Sequence, residues 1–581
     1  MRRRILLAAV IGIFLAGHGQ AQQHARAVTT APGTPGTGGD NHYYGNPLEP
    51  PRAIEFKKGT VTAAQFLADI HRYLGVPADF TFAEAEPSTD KLGMRHHLLQ
   101  QYYKGIALEG MDYRVHEKEG YVVSANGKAV RNIALEMQTP LSKEQAGRLA
   151  GQYLHAADTA VRPGRTLIVS KGFTFAPESF AIAYQFDVEI SLVERWRVSI
   201  DARTGGLINQ VSLVNSCGHE DPPPLPYLPG TGLTNYYGNQ TIRVEQTGSG
   251  TRLVGQTEHG GLLGTYDYRN QSVTPLLNGF PATASDVTSA STNYAGSTRL
   301  KAAVSVQWAA EQAFEYYYQK HGRNSFDNRG GKITSYVHVD VGLDNAFWNG
   351  RLLAFGDGSR YKTLVELDVV SHELTHGVTQ YEAGLLYYNE PGALNESFSD
   401  ILAKAVEFHR FGDTATWQMG KHLIAGGLRD FSNPNVKNQP DTYQGDLWYT
   451  GTGDNGGVHY NSGVQNFWFY LLCNGGSGVN DHDSAYAVTA IGMDAAVNIA
   501  YRNLTEYLGP ASDYLDSRFG SLLAAADLYG KNSAIYRAVD NAWDAVGVID
   551  EPGITSLEPY DITATTTRLR GTLIPRGDSV R

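Results

Sequence analysis

Val369 to Asp400 reads VVSHELTHGVTQYEAGLLYYNEPGALNESFSD. It holds His372, Glu373 and His376 in the order H-E-x-x-H, with Glu396 twenty residues past the second histidine and Asp400 four later. A helix repeats every 3.6 residues, so the two histidines lie one turn apart on one face. Two neutral imidazoles so placed can share one zinc ion. Glu373 sits beside them, where a carboxylate can take a proton from an attacking water. That is the machinery of metal-assisted peptide hydrolysis. A five-residue motif also arises by chance, so the rest of the chain has to carry the reading.

Working outward, 581 residues imply several domains and a large core. Charged residues make up 18%, below the usual quarter, and the 64 Gly and 34 Tyr suit a polar extracellular surface. The net charge of -11 excludes a general nucleic-acid role, which needs basic patches. Two cysteines, Cys217 and Cys473, make no disulfide framework. Arg2, Arg3 and Arg4 precede an apolar run from Ile5 to Ala16, and Gly19-Gln20-Ala21 is the expected cleavage site. Residues 1–21 thus read as a signal peptide, and an exported protein is expected, with no membrane association after cleavage.

Residues 22–52, rich in Thr, Pro and Gly, read as a linker. Two small α+β units are expected next, over 53–130 and 140–214. In the first, Phe66, Leu67, Ile70 and Leu74 repeat at helical spacing, and strands alternate around Glu119-Gly120. In the second, Leu141 to His155 reads as a helix and Arg195 to Ile200 as a strand. The Pro-rich stretch 215–231 reads as an extended, exposed linker open to proteolysis. Beyond it, Gly-, Tyr- and Thr-rich strands and a long helix near Lys301 to His321 give a β-rich lobe over 232–381. A mostly helical lobe follows over 382–548, with the metal helix between the two. Residues 549–581 form a tail with two expected strands, 560–564 and 568–573, too short for a sandwich and at most the start of a fibronectin-like domain.

Several separated motifs agree in order with one family. They are Asp344 to Gly350 (DNAFWNG), Leu367 to Gly377, Gly392 to Asp400, Asp454 to His459 (DNGGVH) and Ala542 to Val548. On these residues, 232–548 resembles the thermolysin-like (M4) secreted zinc metallopeptidases. The resemblance implies an α+β, two-lobed catalytic domain behind α+β pro-domains. It implies zinc on His372, His376 and Glu396 with one position left for water, a ligand set known for thermolysin itself. It implies Glu373 as general base, Asp400 and Asn395 orienting the two histidines, and His459, held by Asp454, joining Tyr387 as oxyanion donors. Asn345 and Ala346 would pair with substrate backbone, and Arg429 would hold a substrate carbonyl. Val369, Leu428 and Met419 would line an apolar pocket, giving cleavage on the amino side of Leu, Phe or similar residues.

The stretch from His97 to Tyr113 resembles a fungalysin/thermolysin propeptide, and 140–214 a PepSY domain. These imply a zymogen whose propeptide serves as intramolecular chaperone and inhibitor, with protein or peptide substrates and a monomeric chain. Calcium is where the chain departs from the family. Asp368 and Glu407 stand at matching positions, but Thr416, Gln418 and Lys421 replace the acidic residues expected next. One weak calcium at most is expected. The competing reading is an inactive relative used as a binding or adhesion module. The intact Glu373, His459 and three ligands speak against it, since a binder needs none of them.

Overall fold

The computed structural model describes residues 41–46, 49–154, 156, 160–190, 195–213, 227–272, 284–549, 554–560 and 568–573. The signal peptide, most of the first linker, Cys217 and residues 214–226 lie outside the described residues.

The amino-terminal part is built on an 11-stranded sheet. Its first unit carries β1 (Arg95–Tyr103), β2 (Ile106–Lys118) and β3 (Tyr121–Gly127). Its second carries α1 (Lys143–Tyr153), then β4 (Arg165–Ser170), β5 (Phe180–Glu189), β6 (Arg195–Asp201) and β7 (Leu207–Ser212). Ser142 caps α1 through a reciprocal bond with Gln145, which sets the helix start. The two units share one sheet because β2 is long enough to reach β4, with Leu108 beside Ile168 in a parallel bridge. The proposed linker over 22–52 needs correction at its end. His42–Tyr44 pairs antiparallel with Ala53–Glu55, so tertiary pairing overrides a local composition poor in apolar residues.

The β-rich lobe has two sheets. One holds β8 (Tyr227–Leu233) and β9 (Asn239–Thr247). β8 starts inside the stretch read as a linker over 215–231. Pro229 is tolerated because β9 lies on one side of it, while the parallel neighbour on the other reaches only Thr231 and Gly232. The second sheet holds β10 (Leu262–Asp267), and α2 (Thr298–His321) packs on both sheets. Ser297 caps α2, and Gly322 ends it at φ +59°. β11 (Ile333–Val337), β12 (Ala346–Trp348) and β13 (Leu353–Phe355) extend that six-stranded sheet, with β12 at its edge.

α3 (Leu367–Tyr381) follows, buried on every side from Leu367 to Thr375 because it runs between the lobes. α4 (Asn389–Phe411) packs along it, buried from Gly392 to Glu407. The helical lobe adds α5 (Asp454–Asn461), α6 (Gly463–Asn474), α7 (Met493–Arg502), α8 (Tyr514–Tyr529) and α9 (Ala534–Ala545). Trp468 of α6 stacks on Trp543 of α9, their centroids 4.7 Å apart. In the tail, Ile554–Tyr560 pairs antiparallel with Arg568–Leu573. The first of these lies earlier than the 560–564 expected. Among the described residues no helix is long and apolar enough to cross a membrane.

One buried acid on α2 gives the fold a pH dependence. Glu311 accepts from the Arg243 N–H at 2.8 Å and from Gln307 at 3.1 Å, and burial pushes its pKa up to about 8. A carboxyl raised in the folded state stabilises fully below its ordinary value near 4.5, and that contribution is lost as pH rises through about 8. The loss runs at about 1.4 kcal/mol per pH unit. Glu311→Gln keeps an acceptor oxygen and removes the proton. Urea unfolding at pH 5.5 and 7.5, in a Glu373→Gln background to prevent self-digestion, should show the Glu311 protein losing up to about 3 kcal/mol more than the Glu311→Gln variant between the two pH values.

Candidate active site

α3 and α4 bring three ligand atoms together. His372 Nε2 lies 3.1 Å from His376 Nε2 and 3.4 Å from Glu396 Oε2, and His376 Nε2 lies 3.3 Å from Glu396 Oε1. The three side chains meet as a candidate metal-binding group. Glu396 is 1% exposed, and its Oε2 is buried without a hydrogen-bond partner. Burial opposes charge on Glu396, but His459, His376 and His372 outweigh it and hold its pKa well below the usual range. Burial likewise opposes charge on His372, but Glu396 and Asp400 outweigh it and push its pKa up to about 10. The pocket thus stabilises positive charge where the three ligand atoms meet. An orphaned carboxylate oxygen facing two imidazole nitrogens is a donor set that fits zinc.

Each ligand is braced from behind. His376 Nδ1 lies 2.8 Å from Asn395 Oδ1 and 3.1 Å from Ser399 Oγ. His372 Nδ1 lies 2.8 Å from Asp400 Oδ1. Asp400 is fully buried and accepts from Arg429 Nε at 2.6 Å and Asn466 Nδ2 at 2.8 Å. Arg429 and His372 outweigh its burial and hold its pKa well below the usual range. Sequence reasoning named Asn395 and Asp400 but missed Ser399 and Asn466. Ser399 lies three residues past Glu396, close enough for helical spacing to have suggested it. Asn466 sits on a different helix, and no local spacing points to it.

Glu373 Oε2 accepts the Trp348 N–H at 2.9 Å, so the edge strand β12 fixes the carboxylate beside the ligands. Gly377 lets α3 approach that strand closely, since a Cβ there would lie 3.0 Å from Phe326 Cβ and 3.1 Å from Trp348. Across the cleft, Tyr387 Oη donates to Glu396 Oε1 and lies 3.3 Å from His459 Nε2. Gly392 permits this closeness, because a Cβ would meet Val458 Cγ1 at 2.4 Å and the Tyr387 backbone at 3.0 Å. His459 Nδ1 lies 2.6 Å from Asp454 Oδ1, and the His459 backbone N–H donates to Asp454 Oδ2 at 2.8 Å. The run Asp454 to Gly457 takes left-handed φ values of 51°, 50°, 85° and 83°, which folds Asp454 back onto His459.

The cleft encloses about 430 Å³, and its lining includes Asn345, Ala346, Val369, Met419, Leu428 and Arg429. All the expected substrate-contacting residues therefore face one space with the ligands. Arg429 divides its guanidinium between Asp400 and the cleft wall.

Asp368 and Glu407 behave differently from expectation. The fully buried Lys404 ammonium lies 2.9 Å from Asp368 Oδ2, pairs with Glu407 Oε2, and donates to the Gln418 carbonyl at 2.6 Å. Lys421 Nζ lies 2.9 Å from Glu407 Oε1. Lys404 thus brings compensating positive charge into the same cage of oxygens, which disfavours a further cation there.

Known families match this arrangement. The thermolysin metallopeptidase catalytic domain matches residues 229–380, the thermolysin metallopeptidase alpha-helical domain 383–548, and the fungalysin/thermolysin propeptide motif 82–129. Thermolysin of Alicyclobacillus acidocaldarius subsp. acidocaldarius is 33% identical over 495 residues, covering 79% of this chain and 84% of that protein. Bacillolysin of Brevibacillus brevis is 34% identical over 476 residues, covering 78% and 82%. Among solved structures, the precursor of protealysin, a metalloproteinase from Serratia proteamaculans, is 29% identical. It covers 51% of this chain and 89% of that one, at a TM-score of 0.41.

Proposed function

Because the chain belongs to the thermolysin (M4) family and is the precursor of a metalloendopeptidase, we propose that it is a secreted, self-processing zinc endopeptidase. It cuts on the amino side of large apolar residues. The observation that carries this reading is the meeting of His372, His376 and Glu396 within 3.1 to 3.4 Å of one another, beside a fixed Glu373.

Zinc held by His372, His376 and Glu396 would supply a Lewis acid that acidifies water and polarises the scissile carbonyl. Glu373 takes the proton of the attacking water and passes it to the departing amine. The Trp348 N–H keeps that carboxylate aimed at the cleft. Tyr387 and His459 donate to the carbonyl oxygen as negative charge builds there, and Asp454 holds His459 in place. Asn395 and Ser399 orient His376, and Asp400 orients His372. The substrate adds to the free edge of β12 through Asn345 and Ala346. Arg429, steadied by Asp400, holds a substrate carbonyl. Val369, Leu428 and Met419 receive the apolar side chain that follows the cut.

The pro-region over 53–130 and 140–214, the second unit PepSY-like, assists folding and keeps the enzyme inactive until removed. The maturation cut falls before Tyr227, where β8 begins.

Removing one oxyanion donor costs about 10²- to 10³-fold in rate. His459→Ala should therefore lower kcat by about that factor and leave KM within about threefold. Stopped assays on a furylacryloyl dipeptide amide check this. Mapping casein fragments by mass spectrometry tests the proposed function as a whole. Cuts clustered before Leu, Phe and Ile support it, and cuts after these residues, or around charged ones, would contradict it.

A further inference from the structure

Where the propeptide motif meets the helical lobe, two buried histidines form a chain of hydrogen bonds that crosses the interface. His96 Nδ1 lies 2.7 Å from His116 Nδ1. His96 Nε2 lies 3.1 Å from Asp90 Oδ2 and 3.1 Å from Glu506 Oε2, the latter contributed by the helical lobe. His116 Nε2 lies 2.7 Å from Asn126 Oδ1, and Asn126 Nδ2 donates to the Tyr507 carbonyl at 2.8 Å.

We propose that a single shared proton on the His96–His116 pair clamps the pro-region to the catalytic part, so that a rise in pH loosens it. The proton count follows from the partners. Asn126 must turn its amide nitrogen to the Tyr507 carbonyl, so its oxygen faces His116 Nε2, which is therefore an N–H. His96 Nε2 faces only carboxylate oxygens and is therefore also an N–H. The two Nδ1 atoms at 2.7 Å need one hydrogen between them. Three hydrogens on four ring nitrogens give the pair one positive charge. Burial, then the neighbouring His96, hold His116 well below the ordinary histidine range.

Charged groups surround the pair, and Arg114 and Arg502 act against positive charge on His116. Arg502 Nη1 lies 2.7 Å from Asp90 Oδ2 and also bonds Asp527, while Arg114 donates to the Thr505 and Glu506 carbonyls. Asp90, His96 and Glu506 also lie close enough to hold a metal, but the hydrogen that His96 Nε2 directs at the two carboxylates leaves that nitrogen no lone pair for one. The Tyr507 ring packs 4.7 Å from His116, and its hydroxyl bonds Asp527. Elsewhere in the interface, Arg52 and Lys128 bind Asp513, and Arg52 also reaches Asp516. These cations keep their charge through neutral pH. Glu390, lining a cavity with Arg52 and Lys128, has a pKa raised by burial and Asp513 to about 7. Its ionisation therefore weakens docking in the same sense as pH rises, and the comparison with His96→Gln separates the two contributions.

The sign is fixed by linkage. The docked state holds a proton that a free histidine gives up near pH 6.5, so docking is strongest below that pH and weakens as pH rises through the pair's own value. His97 sits between Glu84 and Glu117 within the propeptide motif, at 2.6 and 3.0 Å, so a probe on that motif would report on contacts outside the interface as well. The reporter must therefore lie on the catalytic side.

The inference rests on the zymogen reading, but its test reads docking rather than hydrolysis. Hydrogen exchange of residues 493–507 is followed in the full-length Glu373→Gln chain from pH 5.5 to 8.5, corrected for intrinsic rates. Protection should fall by up to tenfold per pH unit from about pH 6.5 up to the pair's own value, the midpoint at which the fall levels off, while residues 367–381 stay unchanged. His96→Gln should flatten the profile. Glu506→Gln, which leaves the pro-region sequence intact, should lower the midpoint by at least about half a pH unit. A flat profile in the parent, or the same profile in both variants, would overturn the proposal. Self-cleavage of the Glu373→Gln chain would instead count against the catalytic roles, and the uncut fraction would still report the clamp.

Discussion

Glu373→Gln is expected to lower peptide hydrolysis by about 10²- to 10⁴-fold, the range that positioned general acid–base catalysis supplies. The substitution is close to isosteric, and its amide oxygen can still accept the Trp348 N–H that holds Glu373 in place. The fold and the three ligands should therefore survive. Two further readouts separate lost chemistry from lost structure. The purified variant should carry the same zinc per chain as the wild type, and it should accumulate as the full-length precursor, because self-processing needs the same proton transfer. Residual hydrolysis at the wild-type rate would remove Glu373 from the mechanism.

Asp400→Ala carries the second large effect. The fully buried carboxylate meets His372, Arg429 and Asn466 at once. Removing it strands a mostly buried guanidinium and frees one zinc ligand to rotate. Breaking a buried ion pair from one side typically costs about 3–5 kcal/mol. Losing a partner behind a metal-bound histidine typically costs about 10- to 100-fold in metal affinity. Asp400→Ala should therefore show both a lower urea midpoint and a weaker zinc dissociation constant. Asp400→Asn should recover part of the stability, since its amide oxygen still accepts from Arg429. Equal zinc affinity in all three proteins would show that Asp400 serves packing alone.

Much of the site was legible because it obeys local periodicity. His372, Glu373 and His376 are readable from helical spacing, and Asp400 follows Glu396 by one turn. Glu396 itself depends on how residues 382–388 reverse the chain between α3 and α4, which spacing does not reveal. That assignment came from family resemblance. Asn466 and the Trp348 N–H reach the site from other elements through tertiary packing. Lys404 shows a different limit. The sequence placed opposing charge at Lys421, which does reach Glu407, but the fully buried ammonium between Asp368 and Glu407 comes from α4 itself, three residues before Glu407. The sharing of one sheet by both pro-units was equally hidden, because it hangs on a single parallel bridge between Leu108 and Ile168.

The central claim is that His372, His376 and Glu396 hold one catalytic zinc. The direct test strips the mature enzyme with 1,10-phenanthroline, removes the chelator, and titrates zinc back while following hydrolysis of a furylacryloyl dipeptide amide. Activity should vanish on stripping and return in full at about one zinc per chain, while His376→Ala fails to recover at the same zinc level. Undiminished hydrolysis by the stripped enzyme, or full recovery of His376→Ala, would contradict it.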